Sequence, residues 1–211
     1  MTETANQDPV AQETCQAATD ASPEAQTDLA DIVARVDRPV VLVGLMGAGK
    51  STVGRRLATI MRRDFIDADD AIEDAAQRKI SEIFEEFGEP YFRDGERRVI
   101  GRLMEENHGV IATGGGAFVD PETRALILEK GIAVWIDCDI ETLVERTSRR
   151  NTRPLLKTGN PREILIRLVE ERGPLYAEAP VRVQSDEGPH AQTAQAILRG
   201  IEHYLSGTQT P

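Results

Sequence analysis

The chain contains few of the residues on which disulfide-bonded, zinc-binding or membrane-spanning proteins depend. Its 211 residues include two cysteines, Cys15 and Cys138, and three histidines, with no CxxC pair and no Cys/His cluster. A disulfide framework and a structural zinc site are therefore not indicated. No apolar run approaches the roughly 20 residues that a transmembrane helix needs, which argues against a membrane protein.

Basic residues are also in the minority. There are 25 Lys and Arg against 36 Asp and Glu, which gives a formal net charge of −11. A protein of this charge lacks the broad basic face that non-specific nucleic-acid binding requires. An anionic substrate would have to be held by a local cluster of arginines. Since the N-terminus has neither a basic segment before an apolar core nor an Arg-rich composition, we expect a cytoplasmic protein.

An acidic N-terminal extension precedes a single predicted domain. Residues 1–22 are polar, and we expect disorder there because they cannot bury enough apolar surface to offset the entropy of ordering. Ser22 and Pro23 could begin a short helix at 23–36, and whether that helix packs on the domain is open. We divide the chain into the extension (1–37), the domain (38–206) and a C-terminal tail (207–211).

Short apolar runs alternate with segments of helical spacing throughout the domain. This alternation predicts a parallel sheet with helices on both faces, that is, a three-layer α/β/α fold with five parallel strands. The predicted strands are 40–44, 64–67, 109–113, 132–137 and 181–185.

The first predicted strand runs into a glycine-rich loop that fits a phosphate-binding motif. Residues 44–51 read GLMGAGKS and match G-x-x-x-x-G-K-[ST] at every fixed position, between a strand and a helical stretch. We expect the backbone of Gly47, Ala48 and Gly49 and the start of the helix at Thr52 to bind the phosphates of ATP.

The last two fixed positions of the motif are predicted to contact the phosphates and the metal ion of the nucleotide. We expect Lys50 to reach the β- and γ-phosphates and Ser51 to bind Mg²⁺. The guanine and switch motifs of a timer GTPase, NKxD and DxxG, do not occur in the sequence. The loop therefore favours a small phosphotransferase.

Two carboxylates follow the second predicted strand, at the sheet edge where ligands bind in open parallel sheets. Asp67 can reach the Mg²⁺ shell, and Asp69 is placed to orient or deprotonate an acceptor hydroxyl. Two alternatives stay open. Asp69 and Asp70 could simply cap the following helix, and Asp137, which ends the fourth predicted strand, could be the metal-site carboxylate instead of Asp67.

Three further segments are candidates for the acceptor site. Arg93 and Glu96 share a helical face, either as a surface ion pair or as a clamp in which Arg93 binds a substrate carboxylate and Glu96 orients it. Gly114, Gly115 and Gly116 suit a backbone that lies flat against a small ligand. The polar, basic stretch at 149–160 is typical of a mobile lid that closes over ATP.

Together these motifs resemble the shikimate kinase family of nucleoside-monophosphate-kinase-like P-loop kinases. The resemblance extends from about residue 40 to about residue 204, with the motifs in the order and spacing of that family. It departs at residues 186–190, where no basic residue precedes His190, so it assigns no adenine contact there. The matching segments are GLMGAGKST, FIDAD with the following DAIE, FGEPYFRDGE, TGGGA, NTRPLL and RGPLY.

The resemblance implies ATP-dependent phosphorylation of the 3-hydroxyl of shikimate, with Mg²⁺ as cofactor and a monomeric protein. It implies that Arg93 and Arg172 hold the shikimate carboxylate. Arg153 and Arg146 would reach the ATP phosphates from the lid, and Asp67 rather than Asp137 would belong to the Mg²⁺ site. A gluconate-kinase-like enzyme and a non-catalytic nucleotide-binding relative are the alternatives.

Overall fold

The computed structural model describes residues 23–106, 109–148, 160–185 and 188–207. Residues 149–159 of the predicted lid, including Arg153, and the first 22 residues lie outside these ranges. Within the described ranges, no helix combines the length and the apolar character needed to cross a bilayer.

Five strands form one sheet in the order β2-β3-β1-β4-β5, and every neighbouring pair is parallel. The predicted α/β fold with five parallel strands is confirmed. The strands are β1 (Val40–Val43), β2 (Phe65–Asp67), β3 (Val110–Ala112), β4 (Ile132–Asp137) and β5 (Val181–Gln184).

Eight helices in the described ranges surround the sheet. The longest, α4, contains a kink at Gly88, whose φ of 78° is not helical. The helices are α1 (Pro23–Arg35), α2 (Lys50–Met61), α3 (Ala68–Ala76), α4 (Ile80–Glu106), α5 (Pro121–Lys130), α6 (Ile140–Ser148), α7 (Pro161–Tyr176) and α8 (His190–Leu205).

The two faces of the sheet are covered by different helices. Successive strand residues point to opposite faces, so Val41 and Leu42 mark the two sides. A Cβ built on Gly54 of α2 would lie 3.0 Å from Leu42 Cδ1, whereas one built on Gly131 would lie 3.1 Å from Val41 Cγ2 and 3.0 Å from Met104 Cε of α4. Helix α2 therefore covers one face and α4 the other, which is the predicted three-layer arrangement.

The central strand is entirely buried. All four residues of β1 are 0% exposed, as expected for a parallel strand that is covered on both faces. This burial fixes the position of the loop that follows β1, because the strand cannot shift without opening the core.

The N-terminal helix packs on the domain, a question that the sequence left open. Ile32 and Val36 belong to the main core, with Leu29 and Val33 packed against it. Helix α1 contacts α8, and Arg63 of the loop after α2 donates hydrogen bonds to the carbonyls at the end of α1. The domain boundary that we placed at residue 38 stays a prediction.

Candidate functional site

Three strand ends bring the sequence-predicted site residues to one edge of the sheet. In the parallel register, Ala112 of β3 lies beside Leu42 of β1 on one side and beside Asp67 of β2 on the other. The glycine-rich loop follows β1, and the triple glycine follows β3. The loop, the carboxylates and the triple glycine are therefore neighbours, as expected at the carboxyl edge of a parallel sheet.

The glycine-rich loop turns back over the end of β1. Gly47 and Gly49 have φ values of 87° and 91°, a left-handed conformation that side chains disfavour. A Cβ on Gly47 would also lie only 2.9 Å from Thr147 Cγ2 of α6. Gly47, Ala48 and Gly49 thus form a tight turn that leads directly into α2, with the exposed Thr52 in its first helical turn.

Lys50 is the first residue of α2, and its side chain contacts the backbone of this loop. Its Nζ donates to the carbonyl oxygens of Gly44 at 2.8 Å and Leu45 at 2.9 Å, and the residue is only 9% exposed. The ammonium group is therefore held at the loop by backbone oxygens. A phosphate that entered the loop would meet a positioned cation.

Ser51 and Asp67 form a direct contact between the loop and β2. Ser51 Oγ donates to Asp67 Oδ2 at 2.6 Å, and Asp67 Oδ1 accepts from the backbone N–H of Asp69 at 3.2 Å. Asp67 is therefore the N-cap of α3, so the alternative that assigned capping to Asp69 and Asp70 does not describe this helix start.

Asp137, the other candidate for the metal site, has different partners. Its Oδ2 accepts from the Arg182 guanidinium of β5, with Nη2 at 2.6 Å, and its Oδ1 accepts from the backbone N–H of Cys138 at 2.9 Å. Of the two carboxylates, Asp67 is the one that contacts Ser51.

Asp69 lies in an electrostatically unfavourable position for a carboxylate. Burial raises the pKa of Asp69 above its ordinary value of 3.8, and the negative charge of Asp67 raises it further. The Lys50 ammonium opposes this shift. A carboxyl with a raised pKa beside a phosphate loop is a candidate for accepting or orienting a proton.

The ion pair of Arg93 and Glu96 joins a partly buried arginine to a fully buried glutamate, so it is not a surface ion pair. Arg93 Nη1 donates to Glu96 Oε2 at 2.6 Å, and Glu96 is only 1% exposed. Burial raises the pKa of Glu96, while the Arg93 guanidinium opposes the shift. Arg93 also donates from Nε and Nη2 to the exposed Glu89, at 3.3 and 3.1 Å.

The triple glycine is in close contact with these charged groups. A Cβ on Gly114 would lie 2.7 Å from Asp69 Oδ1, and one on Gly116 would lie 2.3 Å from Arg93 Nη2. Any side chain at either position would collide with a predicted substrate-binding group. A side chain at Gly114 would therefore have to displace Asp69, and one at Gly116 would have to displace Arg93.

The carbonyl of Gly115 joins the turn to α7. It accepts from Arg172 Nη1 at 3.1 Å and from the Tyr176 hydroxyl at 2.5 Å. Arg172 is thereby placed on the same turn as Arg93. The two arginines line a cavity of about 590 Å³, together with Gly116 and Glu89. This volume is within the range of small-molecule pockets, about 300 to 1,000 Å³.

The family model described as shikimate kinase matches residues 46–202. The chain belongs to the shikimate kinase family. It is 57% identical over 190 residues to a shikimate kinase of Novosphingobium aromaticivorans, covering 88% of this chain and 98% of the relative. It is 54% identical over 174 residues to one of Caulobacter vibrioides, covering 82% of this chain and 86% of the relative.

A solved shikimate kinase of Acinetobacter baumannii in complex with shikimate has the same fold. Its TM-score is 0.76 at 38% identity, and the match covers 85% of this chain and 99% of that chain. A gluconokinase of Sinorhizobium meliloti matches at a TM-score of 0.58 and 21% identity, which shows only a shared fold.

Arg146, an expected ATP contact of this family, lies at the far side of the phosphate loop. A Cβ on Gly49 would lie 3.6 Å from Arg146 Nη1, and the same nitrogen donates to Ser185 Oγ at 3.3 Å. Burial and the nearby Arg146 charge lower the pKa of His190 at the start of α8. Arg146 is thus beside the loop, while Arg153 lies outside the described residues.

Two residues of this site were not assigned from the sequence. Tyr176 falls in the RGPLY segment, where only Arg172 received a role, although the i,i+4 spacing places both on one helical face. Glu89 falls in FGEPYFRDGE, four residues before Arg93, and the same spacing could have identified it. The contacts of Tyr176 with Gly115, 61 residues away in the sequence, have no counterpart in local spacing.

Proposed function

We propose that the protein transfers the γ-phosphoryl group of ATP to the 3-hydroxyl of shikimate, which gives shikimate 3-phosphate and ADP. One observation carries the proposal. Asp69, Arg93 and Arg172 meet at a triple-glycine turn immediately beside a phosphate loop that contains a positioned lysine. A phosphate donor and a small carboxylic acid can therefore occupy adjacent sites.

The two arginines are the binding groups for the substrate carboxylate. A planar guanidinium matches a carboxylate with two parallel N–H bonds, and a lysine at the same position would act only as a point charge. Glu96 holds Arg93 against Gly116, and the Gly115 carbonyl holds Arg172. Both guanidinium groups are therefore positioned before the substrate arrives, which reduces the entropy lost on binding.

Asp69 is the group that faces the acceptor hydroxyl. The hydroxyl oxygen forms a bond to the γ-phosphorus as the bond to the β,γ-bridging oxygen breaks, and the hydroxyl proton passes to Asp69. The transition state of phosphoryl transfer is loose, so positioning contributes more than strong base catalysis. Lys50 stabilises the charge on the phosphate oxygens.

Ser51 and Asp67 fit a magnesium ion. A hydroxyl and a carboxylate are the hard oxygen donors that Mg²⁺ prefers, and it is typically bound by one or two such groups plus substrate phosphates. The described residues contain no cluster of three or more His, Cys, Asp or Glu that could hold a metal without help. When bound, Mg²⁺ would neutralise charge on the β- and γ-phosphates.

The remaining assignments are part of the same proposal. Arg146 and Arg153 contact ATP phosphates, with Arg153 carried by a lid at 149–160. The enzyme acts in the cytoplasm as a monomer on small-molecule substrates, without nucleic-acid or membrane partners.

A coupled ADP-release assay tests the function. Shikimate, gluconate and no acceptor are compared at equal protein concentration, and only shikimate should accelerate ADP release. Release with gluconate would favour the alternative kinase. Release that is equal in all three, or absent, would contradict shikimate phosphorylation.

The substrate-binding role of Arg93 has a matched test on the same helix. Arg93→Ala should weaken shikimate binding by about 2 to 5 kcal/mol, because a buried carboxylate and the substrate both lose their partner. Arg98→Ala removes an exposed arginine whose partner is Asp94, and calorimetry should find its shikimate affinity unchanged. Equal affinities for the two variants would remove Arg93 from the substrate site.

A further inference from the structure

We infer that Glu89 is a competing carboxylate that occupies the substrate-binding edge of Arg93 and is displaced when the substrate carboxylate binds. The inference rests on the proposed function, because it concerns the site at which we place the shikimate carboxylate. It concerns the protein without substrate, in which Arg93 already contacts two glutamates, Glu89 and Glu96.

The two glutamates use different parts of the guanidinium. Glu96 accepts from Nη1, and a single oxygen of Glu89 accepts from both Nε and Nη2. The Nε and Nη2 hydrogens point the same way and form one of the edges at which arginine binds a carboxylate with two parallel bonds. Glu89 therefore occupies an edge that an incoming carboxylate would use.

The two contacts differ in strength. The Glu96 contact is 2.6 Å long and its side chain is 1% exposed, whereas Glu89 accepts at 3.1 and 3.3 Å and is 65% exposed. Removing a buried partner leaves an uncompensated charge, while an exposed ion pair contributes little. A competing carboxylate would consequently displace Glu89 and leave Glu96 in place.

The backbone around Glu89 supports this motion. Glu89 directly follows Gly88, the non-helical residue at the kink of α4, and it lines the same cavity as Arg93, Gly116 and Arg172. Its side chain therefore faces the space that a ligand would fill.

The test is the affinity for shikimate, measured by calorimetry on the intact chain without nucleotide. Glu89→Gln removes the competing charge and should lower the shikimate dissociation constant by up to about five-fold, the upper range for an exposed ion pair. The affinity for ATP should not change, because the phosphate loop is not in contact with Glu89. An unchanged dissociation constant, or a higher one, would overturn the inference, and a higher one would make Glu89 a residue that holds Arg93 in position.

A matched control separates local contact from general charge. Glu86→Gln makes the same charge change on the same helix, at a residue that pairs with Arg78, and should leave the shikimate affinity unchanged. An equal gain in shikimate affinity in both variants would show that the effect comes from net charge, and it would contradict displacement of Glu89 by the substrate. Arg93→Ala separates failure of the proposed substrate site from failure of the Glu89 inference. If Arg93→Ala preserves shikimate affinity, Arg93 does not bind the substrate carboxylate. If Arg93→Ala abolishes affinity while Glu89→Gln has no effect, only the Glu89 inference fails.

Discussion

A single methyl group at Gly116 should disable the acceptor site. The Cβ of Gly116→Ala would lie 2.3 Å from Arg93 Nη2 and 2.8 Å from its Cζ, whereas ordinary contacts begin at 3.4 Å, so the guanidinium must move by about 1 Å. The backbone of Gly116 is not left-handed, so alanine itself is tolerated there. The effect is therefore steric and falls on Arg93.

The expected loss of activity follows from the contacts of Arg93. A shift of this size moves the guanidinium away from the position in which it contacts the 1% exposed Glu96 at 2.6 Å. A misplacement of about 1 Å in a site can by itself reduce the rate about 100-fold. We expect kcat/KM for shikimate to fall by at least about 100-fold, with little change in the KM for ATP.

The assay is steady-state ADP release with shikimate varied at saturating ATP, followed by calorimetry with shikimate alone. Gly95→Ala is the control: it lies in α4, two residues from Arg93, and its Cβ would meet nothing within 4 Å. It should retain activity and gain about 1 kcal/mol of stability from helix propensity. Near-normal kcat/KM in Gly116→Ala would show that Arg93 does not depend on this close contact.

The other predictions concern Asp69 and the N-terminal helix. Asp69→Asn should lower kcat strongly while shikimate still binds. The acid limb of the pH–rate profile lies above pH 3.8 because the pKa of Asp69 is raised, and this limb should disappear in the variant. An unchanged kcat would leave Asp69 without a catalytic role. A raised pKa in the folded state means that the charged carboxylate destabilises the folded protein at higher pH, so the same variant should raise Tm at neutral pH. The gain should vanish below about pH 3.8, where the carboxyl is protonated in both the folded and the unfolded state. A lower Tm at neutral pH would contradict destabilisation by burial. Ile32→Ala should cost about 2 to 5 kcal/mol in urea unfolding because Ile32 lies in the main core, whereas the exposed Asp31→Ala should change it by less than about 0.5 kcal/mol; equal effects would mean that α1 does not contribute to the core.

The phosphate loop and the sheet could be predicted because their determinants are local. A strand that is buried on both faces is a continuous apolar run, and all four residues of β1 are fully buried. The loop motif needs only contiguous residues, since Gly47 and Gly49 supply the left-handed turns and Lys50 begins the helix. Features that depend only on neighbouring residues can be predicted from the sequence alone.

The partners of the carboxylates could not be predicted in the same way. Spacing left Asp67 and Asp137 as equal candidates for the metal site, because both end apolar strands. What distinguishes them is a contact between elements: Ser51 bonds Asp67 across 16 residues, while Arg182 of β5 pairs with Asp137 across 45. Strand order decides these contacts, and a linear pattern does not contain it.

The resemblance to a family predicts roles for the arginines, and the structure adds how these side chains are held. Sequence spacing allowed Arg93 and Glu96 to be a surface pair worth a few tenths of a kcal/mol, and the burial of Glu96 excludes that interpretation. The spacing places Tyr176 on the helical face of Arg172, but its partner could not be predicted, because its hydroxyl bonds a carbonyl 61 residues away in the sequence.

The charge balance of the site indicates how an acidic protein can bind anions. With a formal net charge of −11, the overall field repels an anionic substrate, and Arg93 itself contacts two glutamates. Long-range attraction therefore contributes little, and binding must come from donors that are already fixed in place. Glu96 supplies this fixation at Arg93, and the Gly115 carbonyl supplies it at Arg172. The buried carboxylate of Glu96 therefore positions a cation, whereas we infer that the exposed Glu89 competes with the substrate.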